Sequence, residues 1–153
     1  MKRMNTKILV SAVVATLIVV IACSKNTYNT KPTLKVKTLS SIEVNNGDVL
    51  TVQLQVTDKE GDVTDTLFMR RLRLNQKPTA ASNRLTDSFH LKVPDAANFS
   101  DAVIQLDLKY NDYLVDAINP TENDTIAFRF ALKDKAGNVS DTITTDPIVV
   151  IRQ

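Results

Sequence analysis

From Leu34 onward apolar and polar residues alternate with a period of two. Val52, Leu54 and Val56 are interleaved with Gln53 and Gln55; Phe89, Leu91 and Val93 with His90 and Lys92. Ile104, Leu106, Leu108 and Tyr110 are interleaved with Gln105, Asp107 and Lys109, and Ile126, Phe128, Phe130 and Leu132 with Ala127, Arg129 and Ala131. Successive side chains of a strand point to opposite faces, so this period gives each segment one apolar and one polar face, the pattern of a sheet packed on one side. No stretch after residue 33 carries an apolar stripe at helical spacing. The alternation predicts strands near 34–38, 42–45, 49–57, 65–74, 86–93, 102–110, 125–133 and 141–151. Seven to eight short strands separated by turn signals predict an all-β fold, a sandwich or a barrel. Phe68-Met69-Arg70-Arg71-Leu72-Arg73-Leu74 departs from the period, and a bulge is expected near Arg70-Arg71.

The three glycines lie between predicted strands, in Asn46-Gly47, Glu60-Gly61 and Ala136-Gly137. Glycine accepts the positive φ of tight strand connections. Two of these turns belong to a repeated phrase. Asp58-Lys59-Glu60-Gly61-Asp62-Val63-Thr64-Asp65-Thr66-Leu67 returns 76 residues later as Asp134-Lys135-Ala136-Gly137-Asn138-Val139-Ser140-Asp141-Thr142-Ile143. Each copy follows an alternating strand in the same phase. One pair of copies is too few for a solenoid, so two equivalent turns of a single domain are expected.

Ahead of this body, Lys2, Arg3 and Lys7 precede an apolar run from Ile8 to Ala22, and the only cysteine, Cys23, follows. Fifteen helical residues cover about 22 Å, short of a hydrocarbon core of about 30 Å. An export signal fits this better than an uncleaved anchor, which is the other reading. Val20-Ile21-Ala22-Cys23 resembles a bacterial lipobox. That resemblance implies that residues 1–22 are a cleaved signal peptide and that Cys23 becomes the lipidated first residue. At about 0.8 kcal/mol per buried methylene, two or three acyl chains there would anchor the protein stably. Residues 23–33 then read as a polar, lipidated tether, and 34–153 as one sandwich domain. Three of the 19 Lys+Arg and none of the 17 Asp+Glu fall in the leader, leaving 16 cations against 17 anions. A near-neutral body gives no case for a nucleic-acid partner. With its one cysteine at the cleavage point, the body has no internal disulfide.

Asn46-Gly47-Asp48-Val49-Leu50-Thr51-Val52, Val56-Thr57-Asp58-Lys59-Glu60-Gly61-Asp62 and Lys133-Asp134-Lys135-Ala136-Gly137-Asn138 resemble bacterial immunoglobulin-like domains, whose style cadherin-like and PKD-like modules share. With the lipobox, the whole resembles small Ig-like lipoproteins of Bacteroidota-type Gram-negative bacteria. The resemblance spans roughly 34–152 and implies an Ig-like antiparallel β-sandwich. In that topology the two repeated turns and the entry to the first strand share one pole. The connections at 75–84 and 111–124 lie at the other.

Four groups of residues are candidates for chemistry. Asp58, Glu60, Asp62, Asp65, Asp134, Asn138 and Asp141 are candidate calcium ligands. Calcium takes six to eight oxygens, and the resemblance to cadherin-like modules implies acidic ligands at such turns. The same residues also serve simply to close turns. Tyr113, Leu114, Val115 and Ile118 are more apolar than a loop needs, and form either a partner surface or a plug for the core. Arg70, Arg71, Arg73, Lys77 and Arg84 occur with no acid between Asp65 and Asp87, as a basic patch or a solvated strand face. Thr66, Thr125 and Thr142 each follow Asp and precede Leu or Ile, resembling the acceptor of Bacteroidota-type periplasmic O-glycosylation.

Catalysis has little support. His90 alternates outward between Phe89 and Leu91, and no nucleophile elbow, phosphate loop or histidine-based zinc motif occurs. No cofactor other than calcium is suggested. The expectation is a non-catalytic outer-membrane lipoprotein with a structural or accessory binding role. Its partners would be the membrane, through lipid on Cys23, and another envelope protein. Ser24-Lys25-Asn26-Thr27 has no acidic run, which favours the periplasmic face. The alternative is a calcium-dependent carbohydrate- or protein-recognition module.

Overall fold

The computed structural model describes residues 31–63, 65–75, 87–94, 100–114 and 123–151. The leader, Cys23, Lys77, Arg84, Val115 and Ile118 lie outside the described residues. Among the described residues nine strands follow in order: β1 (Thr33–Leu39), β2 (Glu43–Val44), β3 (Val49–Thr57), β4 (Thr66–Arg73), β5 (Ser88–Lys92), β6 (Asp101–Lys109), β7 (Asp124–Lys133), β8 (Ile143–Thr144) and β9 (Ile148–Val150). They form two packed sheets, one ordered β1-β3-β6 and the other β2-β9-β7-β4-β5, with β8 also on β7. This is the expected all-β sandwich of two packed sheets.

The alternation dictates the core. Leu50, Val52, Leu54 and Val56 of β3 are fully buried, and so are Phe128, Phe130 and Leu132 of β7 on the facing sheet. Burying one such side chain contributes about 1.5–3 kcal/mol, which is why the register is fixed: a slip by one residue would expose them all. The opposite face of the first sheet is a polar ladder. Thr51 Oγ1 donates to Asp107 Oδ1 at 2.9 Å, and Gln53 Nε2 to Gln105 Oε1 at 3.2 Å.

Three local expectations change. The pairing is not wholly antiparallel, because β2 crosses to the second sheet and runs parallel to β9. The last predicted strand divides at Thr145-Asp146-Pro147, where proline cannot supply a ladder N–H. No bulge occurs at Arg70-Arg71: β4 pairs with β7 without a shift from Thr66↔Lys133 to Arg73↔Ile126. The irregularity lies instead in β1, between Val36 and Thr38. β4 keeps its alternation by turning Arg71 inward with Leu67 and Met69.

Both poles follow the expected arrangement. Thr33 pairs with Thr57, and the Lys31 ammonium reaches Asp141, so the chain enters beside both repeated turns. At the far pole β6 runs into one π-helical turn, Tyr110–Leu114. Tyr110 N–H donates to Asp48 O at 3.1 Å and its hydroxyl to Ile151 O at 3.2 Å.

Candidate functional site

The repeated turns meet in space. Lys135 N–H donates to Asp62 O, and Ala136 N–H to Asp62 Oδ2, both at 3.1 Å. Each turn is organised by its first aspartate, buried at the end of a core strand: Asp58 is 1% exposed and Asp134 0%. Asp58 Oδ2 accepts Asp62 N–H at 3.2 Å, and Asp134 Oδ1 accepts Asn138 N–H at 2.7 Å. Glycine occupies the residue before each donor, with φ of +73° at Gly61 and +92° at Gly137. An L side chain there would be strained.

The copies differ at the donor's own side chain. Asn138 Nδ2 donates to Asp134 Oδ2 at 2.9 Å and completes that turn. Asp62, its counterpart, has no proton to donate when ionised. Asp58 Oδ1 and Asp62 Oδ1 are consequently buried without a hydrogen-bond partner. Burial pushes the Asp62 carboxyl above its ordinary value, and the neighbouring carboxyls of Asp58 and Asp134 push the same way.

The seven candidate calcium ligands are not brought together. Asp58, Asp62, Asp134 and Asn138 converge, but Glu60 is exposed. Asp65 pairs with Lys133 at 3.2 Å, and Asp141 with Lys31. Among the described residues no group of three or more His, Cys, Asp or Glu side chains is arranged to hold a metal ion. The donors do not fit a calcium cage; they serve the turns and the strand ends.

At the far pole the burial of the two described residues fits the core-plug reading rather than the partner surface. Leu114 is 1% exposed and belongs to the core, so it offers nothing to a partner. Tyr113 is half-buried, packs edge-on against Phe89 at 5.2 Å, and its carbonyl accepts Arg71 Nη1 at 2.9 Å. This pair plugs the end of the sandwich because a π-turn directs both side chains back over it.

The basic stretch is divided by strand parity. Arg71, 3% exposed, points inward and donates from Nε to Asp87 Oδ1 at 2.9 Å. Arg73 grips the same carboxylate at 3.1 and 2.9 Å. Burial pulls the Arg71 guanidinium below its ordinary value, and Asp87 opposes that. Nothing in the sequence pairs Asp87 with these arginines beyond its being the first acid after them. Arg70 points outward. Of the three candidate acceptor threonines, Thr142 is exposed between strands, whereas Thr66 and Thr125 are half-buried strand residues.

No protein-family model matches the chain, and no curated protein matches it. Similar solved structures include the sporulation control protein Spo0M of Bacillus subtilis, at 11% identity and a TM-score of 0.41 over 80% of this chain. A β-glucosidase of Kluyveromyces marxianus matches at 10% identity and a TM-score of 0.39 over 82% of this chain. The chain spans 50% of the length of the first and 15% of the second. No helix among the described residues is long and apolar enough to cross a membrane.

Proposed function

We propose that this chain is a lipid-anchored cell-envelope protein, held at the periplasmic face of the outer membrane through Cys23, whose sandwich has a non-catalytic structural or accessory binding role. The observation that carries this reading is the unbroken order of cationic start, short apolar run, Val20-Ile21-Ala22-Cys23 and polar tether. The ten residues from Ser24 to Thr33 would reach roughly 33 Å when extended. They lead to the pole where the repeated turns meet, so that pole would face the bilayer. The test is incorporation of labelled fatty acid into the full-length protein in a Gram-negative host. Label should enter the native chain and be lost from Cys23→Ser; an unlabelled native chain that keeps its leader refutes the anchor.

The second reading is a carbohydrate- or protein-recognition module. It is favoured by an outward pair of arginines, Arg70 and Arg129, beside a groove that no acidic side chain lines among the described residues. It requires no calcium, and a melting midpoint unchanged by calcium or chelator is its expected accompaniment.

A further inference from the structure

Arg70 and Arg129 are directly opposed across β4 and β7, and both are exposed on the outer face of the second sheet. Ser88 opposes Arg70 from β5, and Thr144 opposes Arg129 from β8. One rung of the sheet therefore reads Ser88, Arg70, Arg129, Thr144: two guanidinium groups flanked by hydroxyls. The next rung on the same face holds His90, Phe68 and Ala131. Phe68 and His90 meet edge to face with ring centroids 5.1 Å apart. Arg70, Arg129 and Ser88 of the first rung and Phe68, His90 and Ala131 of the second line a groove of about 220 Å³, and Thr142 also lines it.

Like charges directly opposed across strands are destabilising. Four other cations have a counter-charge by geometry: Arg71 and Arg73 meet Asp87, Lys133 meets Asp65 and Lys31 meets Asp141. No acidic side chain lines this groove among the described residues. The uncompensated pair stands beside an aromatic floor on a rigid sheet rather than on a loop.

We infer that this groove binds a phosphomonoester carrying a ring, with the phosphate held between Arg70 and Arg129 and the ring laid on Phe68 and Ala131. Two guanidinium groups supply a charge that a near-dianionic phosphate matches and a single carboxylate does not. Three terminal oxygens suit two forked donors and the neighbouring hydroxyls. The apolar rung explains why a ring, and not the ion alone, would be selected. This inference deepens the recognition reading and is independent of the lipid anchor, since neither rung involves the tether.

The test is calorimetric titration of the full-length protein in detergent micelles at low ionic strength with phenyl phosphate, inorganic phosphate and benzoate. Phenyl phosphate should bind about tenfold tighter than either of the others. The double variant Arg70→Gln/Arg129→Gln should lose that binding, while Lys35→Gln, on the outer face of the other sheet, should keep it. Both arginines are exposed, so circular dichroism of the variant should match the native protein. Equal affinity for inorganic phosphate would overturn the ring-binding floor. Equal affinity for benzoate would overturn the dianion site, and equal loss in Lys35→Gln would reduce the effect to general charge. Lipidation of Cys23 is read separately, so failure here leaves the anchor standing, and loss of the anchor leaves the groove.

Discussion

Asp62 and Asn138 each donate a backbone N–H to the carboxylate four residues earlier, at 3.2 and 2.7 Å, but only Asn138 also returns a side-chain N–H to it, at 2.9 Å. The two turns share a backbone plan and differ in one functional group. That difference leaves one oxygen on Asp58 and one on Asp62 buried and unpartnered.

Asp62→Asn should therefore stabilise the protein at neutral pH. The new amide can donate to Asp58 while its oxygen still accepts Ala136 N–H. An unsatisfied buried acceptor costs roughly 1–3 kcal/mol, so a gain on the order of 1 kcal/mol is expected in urea unfolding at pH 7. A loss of stability would show that the Asp58–Asp62 pair is satisfied in another way.

The same pair sets a pH dependence. Because the folded-state value of Asp62 is raised, by burial first and then by Asp58 and Asp134, the native state binds this proton more tightly than the unfolded state. Its favourable contribution is complete below the ordinary carboxylate range and is lost as pH rises through the raised value. Native unfolding free energy minus that of Asp62→Asn should become more favourable to the native chain as pH falls from 7 toward that range. A difference independent of pH would contradict the raised value.

Asp87 holds Arg71 and Arg73 together at the far end of β4. Its side chain is 24% exposed while that of Arg71 is 3% exposed, so removing it takes the carboxylate from a buried cation that keeps its bond to Tyr113 O. Asp87→Ala should cost about 2 kcal/mol, below the full figure for a buried pair because Asp87 itself is partly solvated. Arg71→Met should cost less, since Asp87 keeps Arg73. The reverse order in chemical denaturation would show that the arginine's packing, not the ion pair, dominates.

The π-turn plug separates packing from recognition. Leu114→Ala should destabilise by about 3 kcal/mol through the cavity it leaves. Tyr113→Ala should cost about 1 kcal/mol through loss of the edge contact with Phe89. A Leu114→Ala protein as stable as the native one would return this residue to the surface.

Replacing one of the opposed arginines should relieve repulsion. In phosphate-free buffer Arg129→Gln should raise stability by about 0.3 kcal/mol at low salt, an effect that fades as ionic strength rises. A decrease would reveal an unrecognised counter-charge.

The strands were legible because their signal is local. Val52-Gln53-Leu54-Gln55-Val56 and Ile126 to Leu132 state their faces without reference to any partner, and the glycine-containing turns at Gly47, Gly61 and Gly137 state where strands end. The same locality misleads at Arg70-Arg71, where inward charge reads as a break in the period. The strand tolerates Arg71 because Asp87, from the next strand's approach, meets it. The expected calcium ligands were adjacent in sequence, but the lysines that occupy Asp65 and Asp141 arrive from β7 and from the segment before β1.

The sequence by itself determined the class of fold, the core faces and the equivalence of the two turns, since all of these follow from periodicity and turn chemistry within short windows. Only the tertiary structure decided that β2 joins β9 in parallel, that Tyr113 and Leu114 fold back as a plug, that Asp62 meets Ala136, and that Arg70 faces Arg129. Those relationships join residues tens of positions apart. Their geometry is set by how two sheets twist and close over a common core, which no local window of residues encodes.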